Sequence, residues 1–351
     1  MAVRVALGLA AGGVTLALLA AMVMAMVWVA APSPSGAFHK GMVFGLFARD
    51  DPGHTDRALA ELAALGVDSV CIVIPWVTPD VHSLELAPRG DMTPSDAALD
   101  YAIRRAHAAG MRVFLMPFIY VDKVSPGVWR GTIEPPDWDV WFAGYGSFLM
   151  RYAELAGRLR VEMLSVGSEL CSTETRRLDW ERLIGRVRGV YGGLLTYSAN
   201  WDHKDSVSFT DLLDVVGMNA YFELSPIDDP PLEELLAAWG RLKPEIDAWR
   251  ARSGRPLVIT EVGYPSRLRA AADPWDYDAV GSPAPDLQAR CYKAFMRTWE
   301  SDPHLIGVYF YLWWGDGGPA DTSYTPRGKP ALDVLAQWYS GPRAGGSAGA
   351  P

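Results

Sequence analysis

The sequence predicts a single parallel barrel of eight strands and interleaved helices, (β/α)8, preceded by an N-terminal hydrophobic helix. Three observations predict it. Short apolar runs rich in β-branched residues recur at 41–47, 69–76, 112–120, 162–166, 194–198, 215–220, 257–260 and 307–312, each reading as a strand buried on both faces. Amphipathic stretches lie between them, at 55–65, 94–109, 138–157, 180–191, 232–252 and 286–301, the alternation expected of parallel βα units. A glycine then stands just past several helices and leads directly into the next strand, as in Leu65-Gly66-Val67 and Ala109-Gly110-Met111. Eight such strands are the count for a closed barrel. An open doubly wound sheet would carry a glycine-rich phosphate loop after its first strand, and Phe44-Gly45-Leu46-Phe47-Ala48-Arg49 has no such fingerprint.

Taken in order, residues 5–31 contain no charge and are mostly Ala, Val, Leu, Met and Gly. A run of about 20 apolar residues spans a bilayer, and this one is longer. Arg4 and the amino terminus put the positive side in the cytoplasm. The expectation for 1–31 is an uncleaved anchor facing an extracytoplasmic domain. The alternative is a signal peptide cleaved after the Val29-Ala30-Ala31 end, with secretion of the remainder. Residues 32–37 form a Pro/Ser-rich linker, 38–340 the catalytic-sized barrel, and 341–351 a Gly/Ala/Ser/Pro tail expected to be disordered. Within the barrel, the stretch 268–286 is long enough to be a lid or binding loop.

Composition narrows the function classes. The formal net charge of −9 gives no basic field for gripping nucleic acid. Cys71, Cys171 and Cys291 lie far apart and form no metal-ligand spacing, so neither a disulfide framework nor a zinc signature is present. Cys171 lies close to Glu169 in sequence, but nothing beside it marks an activated thiolate. There is no Walker loop or EF-hand loop, and no metal or other cofactor is implied. The chain is expected to act as a monomer.

In a barrel, side chains at the strand ends converge on one face, where catalysis takes place. The ends here supply Phe47 and Arg49, Trp76, Tyr120, Asp122 and Lys123, Glu169, Asn200 to His203, Asn219 and Tyr221, Glu261, and Trp313 and Trp314. Two of these settings match: Val166-Gly167-Ser168-Glu169-Leu170 and Val258-Ile259-Thr260-Glu261-Val262 each end a buried strand on a glutamate. A lone carboxylate there reads as an ion-pair partner or helix cap. Two on the fourth and seventh strands read as the acid/base and nucleophile of a retaining glycosidase, which need about 5–5.5 Å between them. Trp76, Trp201 and Trp314 are candidate sugar platforms, with Trp129 and Trp275 behind them. His203 is either a polar subsite contact or a solvated loop histidine.

The ordered set of motifs resembles glycoside hydrolase family 113, a β-mannanase-like group within the large clan A of retaining enzymes. The resemblance rests on Lys40-Gly41-Met42, Ile74-Pro75-Trp76, Gly167-Ser168-Glu169-Leu170, Asn219-Ala220-Tyr221, Thr260-Glu261-Val262-Gly263-Tyr264 and Trp313-Trp314, and covers residues 38–339. It implies a barrel that hydrolyses β-1,4-mannan or a related β-linked polysaccharide. Glu169 would be the general acid/base, Glu261 the nucleophile, Tyr221 the tyrosine bonded to the nucleophile, and Trp313 the floor of the −1 sugar. Ser168 departs from the Asn that many clan members place before the acid/base, leaving Asn219 and Asn200 as candidates for the sugar 2-hydroxyl. Two other classes stay open on the same barrel: a non-catalytic envelope-polysaccharide binder, and a transglycosylase that passes the sugar to another sugar. The expected partners are the polysaccharide or oligosaccharide substrate and, through the N-terminal helix, a membrane.

Overall fold

The structure, a computed structural model, describes residues 37–46 and 51–341. The expectations for the hydrophobic helix, the linker up to 36, Phe47, Arg49 and the tail beyond 341 fall outside those residues. Among the described residues no helix is long and apolar enough to cross a membrane.

The strands are β1 (His39–Phe44), β2 (Ser69–Thr78), β3 (Arg112–Val121), β4 (Met163–Ser168), β5 (Leu194–Asn200), β6 (Val216–Asn219), β7 (Leu257–Val262) and β8 (Leu305–Trp313). All neighbours pair in parallel, and β8 returns to β1, closing the barrel. The helices are α1 (Pro52–Leu65), α2 (Asp96–Ala108), α3 (Trp138–Leu159), α4 (Arg177–Arg188), α5 (Leu232–Ser253), α6 (Pro285–Trp299) and α7 (Pro330–Ser340). The expected strands and helices of the barrel are all present within a few residues; α7 is a further helix beyond them.

Local chemistry sets the helix ends. The Asp51 carboxylate accepts from Gly53 N–H at the start of α1, Ser95 Oγ accepts from Ala98 N–H at α2, and Asp137 accepts from Asp139 and Val140 at α3. Gly66, at φ 90°, ends α1 in a left-handed conformation that costs glycine nothing.

Two apolar layers follow from strand alternation. Val43, Cys71, Val73, Phe114, Met116, Met163, Val258 and Tyr309 fill the barrel interior, while Met42, Val70, Ile72, Leu115, Leu164 and Ile259 face the helices. At the bottom of the interior the Tyr309 hydroxyl bonds both His39 Nδ1 (2.8 Å) and Ser69 Oγ (2.7 Å). Gly41 is required beside it, because a Cβ there would sit 2.4 Å from the Tyr309 ring and 2.6 Å from the Val308 carbonyl oxygen. The last helix returns to this same face: Tyr339 OH donates to the Gly41 carbonyl (2.6 Å), and Lys40 Nζ donates to the Tyr339 carbonyl.

Candidate active site

β4 ends at Ser168, and Glu169 follows with φ 54°, a left-handed conformation that costs a non-glycine residue about 1–3 kcal/mol. The turn is held on both sides. Glu169 N–H donates to the Ser198 carbonyl (2.9 Å), and Leu170 N–H donates to Tyr197 OH (2.8 Å). The β4–β5 register shifts between Ser165 and Ser168, so this turn re-aims the side chain at the strand end. Glu261 is turned by a different device. Strict alternation from the inward Val258 would send Thr260 inward instead. The register shifts toward β6 after Met218 and toward β8 after Ile259, and the irregularity brings Glu261 into the mouth.

The two carboxyl groups are buried and joined through their neighbours. Asn219 pairs with Glu261 in the β6–β7 register, while its Nδ2 donates to Glu169 Oε1 (2.8 Å). Its Oδ1 accepts from Thr260 Oγ1 (2.8 Å), which fixes the orientation of the amide. Tyr221 OH donates to Glu261 Oε2 (2.8 Å). On the other side Arg130, in the short 3-10 turn Arg130–Thr132 after β3, donates from Nη2 to Glu169 Oε2. Its guanidinium carbon also lies 5.5 Å from the ring centre of Phe118 and 5.7 Å from that of Trp129.

These contacts set the electrostatics. Burial, and then the charge of Glu169, push the Glu261 carboxyl up to about 8; the Tyr221 hydrogen bond and the Arg130 charge pull the other way. Burial and Glu261 also push the Tyr221 phenol well up, so it remains a donor. The charge of Glu169 thus works against ionising Glu261, the coupling between neighbouring carboxyls that a general acid and a nucleophile in one pair use.

The structure brings Glu169, Glu261, Asn219 and Tyr221 together and places Trp201 at the rim. Trp201 stacks on Trp275 (5.5 Å, 27°) and packs on Phe222, so the long 268–286 loop meets the end of β5 through this pair. Asn200 Oδ1 accepts from Trp201 N–H (3.0 Å), which orients that rim. Trp314 lines a cleft of about 470 Å³ together with Tyr311, Tyr277, Tyr324, Pro265 and Arg267.

Two expectations are corrected. Trp76 cannot be a platform at the mouth. It shares the strand parity of Ile72 and Ile74, which face the helices; its Nε1 donates to Tyr152 of α3 (2.8 Å), and its ring packs on Phe148 (4.9 Å). Trp313 is likewise buried in the layer toward the helices, with the Arg327 guanidinium 4.6 Å from its ring centre. Its neighbours Tyr311 and Trp314 are the β8-end aromatics on the inner side. Arg130 and Tyr311 are absent from the sequence-based expectations. Tyr311 carries a signal, being two residues beyond the inward Tyr309. Arg130 carries none, since it comes from a loop without periodicity.

A closed β/α barrel with a buried glutamate pair at the ends of β4 and β7 defines a glycoside hydrolase. The model of Glycoside Hydrolase Family 113 matches residues 42–325, and the chain belongs to that family. Among solved structures, it is similar to the GH113 β-mannanase AaManA from Alicyclobacillus acidocaldarius, in complex with ManMIm. The identity is 28%, over 88% of this chain and 99% of that one, with a TM-score of 0.79. A further GH113 β-1,4-mannanase is 26% identical over 87% of this chain and 99% of its own, with a TM-score of 0.77. A glycoside hydrolase family 5 mannosidase from Rhizomucor miehei shares the fold at 10% identity, covering 88% of this chain and 93% of that one, with a TM-score of 0.58. No curated protein matches the sequence at a significant level.

Proposed function

We propose that the protein cleaves β-1,4-mannan, or a closely related β-linked polysaccharide, internally and with retention of configuration. The observation that carries this is the glutamate pair, with a different set of donors on each member. The similarity to β-mannanases supports the choice of polymer. In the first displacement a Glu261 oxygen attacks the anomeric carbon as the glycosidic bond breaks, and Glu169 gives its proton to the departing oxygen. In the second, Glu169 takes a proton from water, whose oxygen displaces Glu261 and regenerates both carboxyls. Tyr221 holds Glu261 in line and favours its anionic form.

Arg130 and Asn219 both donate to Glu169, while burial and the charge of Glu169 hold the proton on Glu261. The first displacement needs the reverse. We place the exchange at substrate entry: the glycosidic oxygen approaching Glu169 takes the place of Arg130, and the proton passes to Glu169.

Azide rescue tests the assignment. Glu261→Ala should yield the inverted glycosyl azide. Glu169→Ala should form its intermediate quickly from an activated aryl β-mannoside and yield the retained azide. Swapped stereochemistry would reverse the roles, and sugar binding with no turnover on any β-glycan would leave a binding protein. Products longer than the substrate would make the acceptor a sugar. Placement outside the cytoplasm rests on residues 5–31, which we propose act as an anchor. A native protein beginning near Pro32 and recovered from the medium would replace the anchor with secretion.

A further inference from the structure

We propose that Cys171, Glu174 and His203 form a binding site for a thiophilic divalent cation of the zinc class, tying the segment after β4 to the loop after β5. One ligand atom from each of the three, a sulfur, a carboxylate oxygen and a ring nitrogen, lie within 4.8 Å of one another. Tetrahedral zinc, with bonds of about 2.0–2.3 Å, holds its ligand atoms about 3.3–3.8 Å apart, so a small inward movement completes the set. His203 can supply it, being the exposed member of the three, on a turn closed by its own N–H to the Asn200 carbonyl (3.0 Å).

The backbone builds the other two ligands into one face. Cys171–Thr173 is a 3-10 helix, and Glu174 caps it with its N–H on the Cys171 carbonyl (3.2 Å). In that helix residues three apart eclipse, which stacks the thiol and the carboxyl. Ser208, beyond His203, donates to the Glu174 carbonyl from N (3.1 Å) and from Oγ (2.6 Å), so the two loops are already fastened beside the cluster.

An independent observation is the state of the Glu174 side chain. The residue is fully buried, and its Oε2 has no hydrogen-bond partner. An unsatisfied buried carboxylate oxygen is costly and calls for a donor or a cation. Its other oxygen is oriented as a ligand's would be: Oε1 accepts from Tyr197 OH (2.8 Å), and Tyr197 in turn accepts from Leu170 N–H (2.8 Å). Charge agrees with this reading. A divalent ion binding the thiolate and the carboxylate, with release to solvent of the thiol proton and of the proton that burial keeps on the Glu174 carboxyl, leaves a neutral centre. Glu169 and Asp202 add negative potential at both groups.

The test uses the full chain, stripped by a chelator and titrated with Co²⁺ and then Zn²⁺. One equivalent of Co²⁺ should bring up a thiolate-to-cobalt charge-transfer band, and Zn²⁺ should bleach it by displacement. Tyr197→Phe should weaken binding about 10–100-fold by removing the support of Glu174. His203→Ala, a change on the surface, should weaken it further, and Cys171→Ser should abolish the charge-transfer band. Absence of the band in the unaltered protein would overturn the proposal. So would Zn²⁺ affinity unchanged in His203→Ala, which would place any bound metal elsewhere.

Discussion

Replacing Glu261 with Gln should stabilise the protein, and by more at alkaline than at acid pH. Burial and the charge of Glu169 raise the folded-state carboxyl from its ordinary 4.5 to about 8, a gap of about 3.5 pH units. Each unit is worth about 1.4 kcal/mol, so forcing this group to ionise inside the barrel costs about 5 kcal/mol. The sign follows from the direction of the shift. Below pH 4.5 the folded and unfolded chains both hold the proton, and the full stability is present. Between 4.5 and about 8 the unfolded chain has released it and the folded chain has not, so stability falls as pH rises, levelling off once the folded group has ionised. Gln keeps the shape and an acceptor for Tyr221 OH, but it does not titrate. Because the charge of Glu169 contributes to the shift beside burial, we expect the variant to recover about 2–5 kcal/mol at pH 9 and close to nothing at pH 4.5. Urea unfolding of both proteins at the two pH values measures the difference. An equal effect at both, or a destabilised variant at pH 9, would refute the reasoning.

The remaining predictions concern the neighbours of that pair and the barrel beneath it. Tyr221→Phe removes a hydrogen bond to a charged group, worth about 1.5–3 kcal/mol; kcat/KM should fall about 10–100-fold, with the alkaline limb of its pH profile moved upward. In the unaltered enzyme, kcat/KM should decline above about pH 8, where Glu261 no longer holds the proton that passes to Glu169 at substrate entry; a profile flat to pH 10 would contradict this. Gly41→Ala should lower the melting temperature sharply, by the equivalent of about 1–3 kcal/mol or more, because a methyl group there meets the Tyr309 ring and the Val308 carbonyl; an unchanged melting temperature would show that β1 and β8 can part.

The barrel is legible in the sequence because parallel strands buried on both faces read as unbroken apolar runs, and because glycines mark the helix ends. The limits are less legible where pairing, not composition, extends a strand. β4 continues through Gly167 and Ser168, which carry no apolar signal, and β7 continues through Glu261. α7 has Pro330 in its first turn and buries Ala331, Leu335 and Tyr339 at helical spacing, so its signal exists but is short. The two glutamates stand out because each ends such a run. Which way Trp76 points depends on strand parity, and in a strand apolar on both faces the sequence shows no parity. Arg130 reaches Glu169 only because the 3-10 turn after β3 folds back over the mouth. Cys171, Glu174 and His203 belong to two loops that only the barrel brings together.

The contacts among Lys40, Gly41 and Tyr339 have a practical meaning for anyone who mounts this enzyme on a support. β1 starts and α7 finishes on the face away from Glu169 and Glu261, and these contacts fasten the two ends side by side there. A bead, surface or fused domain joined through residue 37 or residue 341 therefore attaches at the foot of the barrel, and a long polymer can still thread across the cleft. Coupling through lysine is less selective, because the exposed Lys123 lies in the loop at the end of β3, on the working face. End-directed attachment should keep the activity on chains too large to diffuse around a blocked mouth.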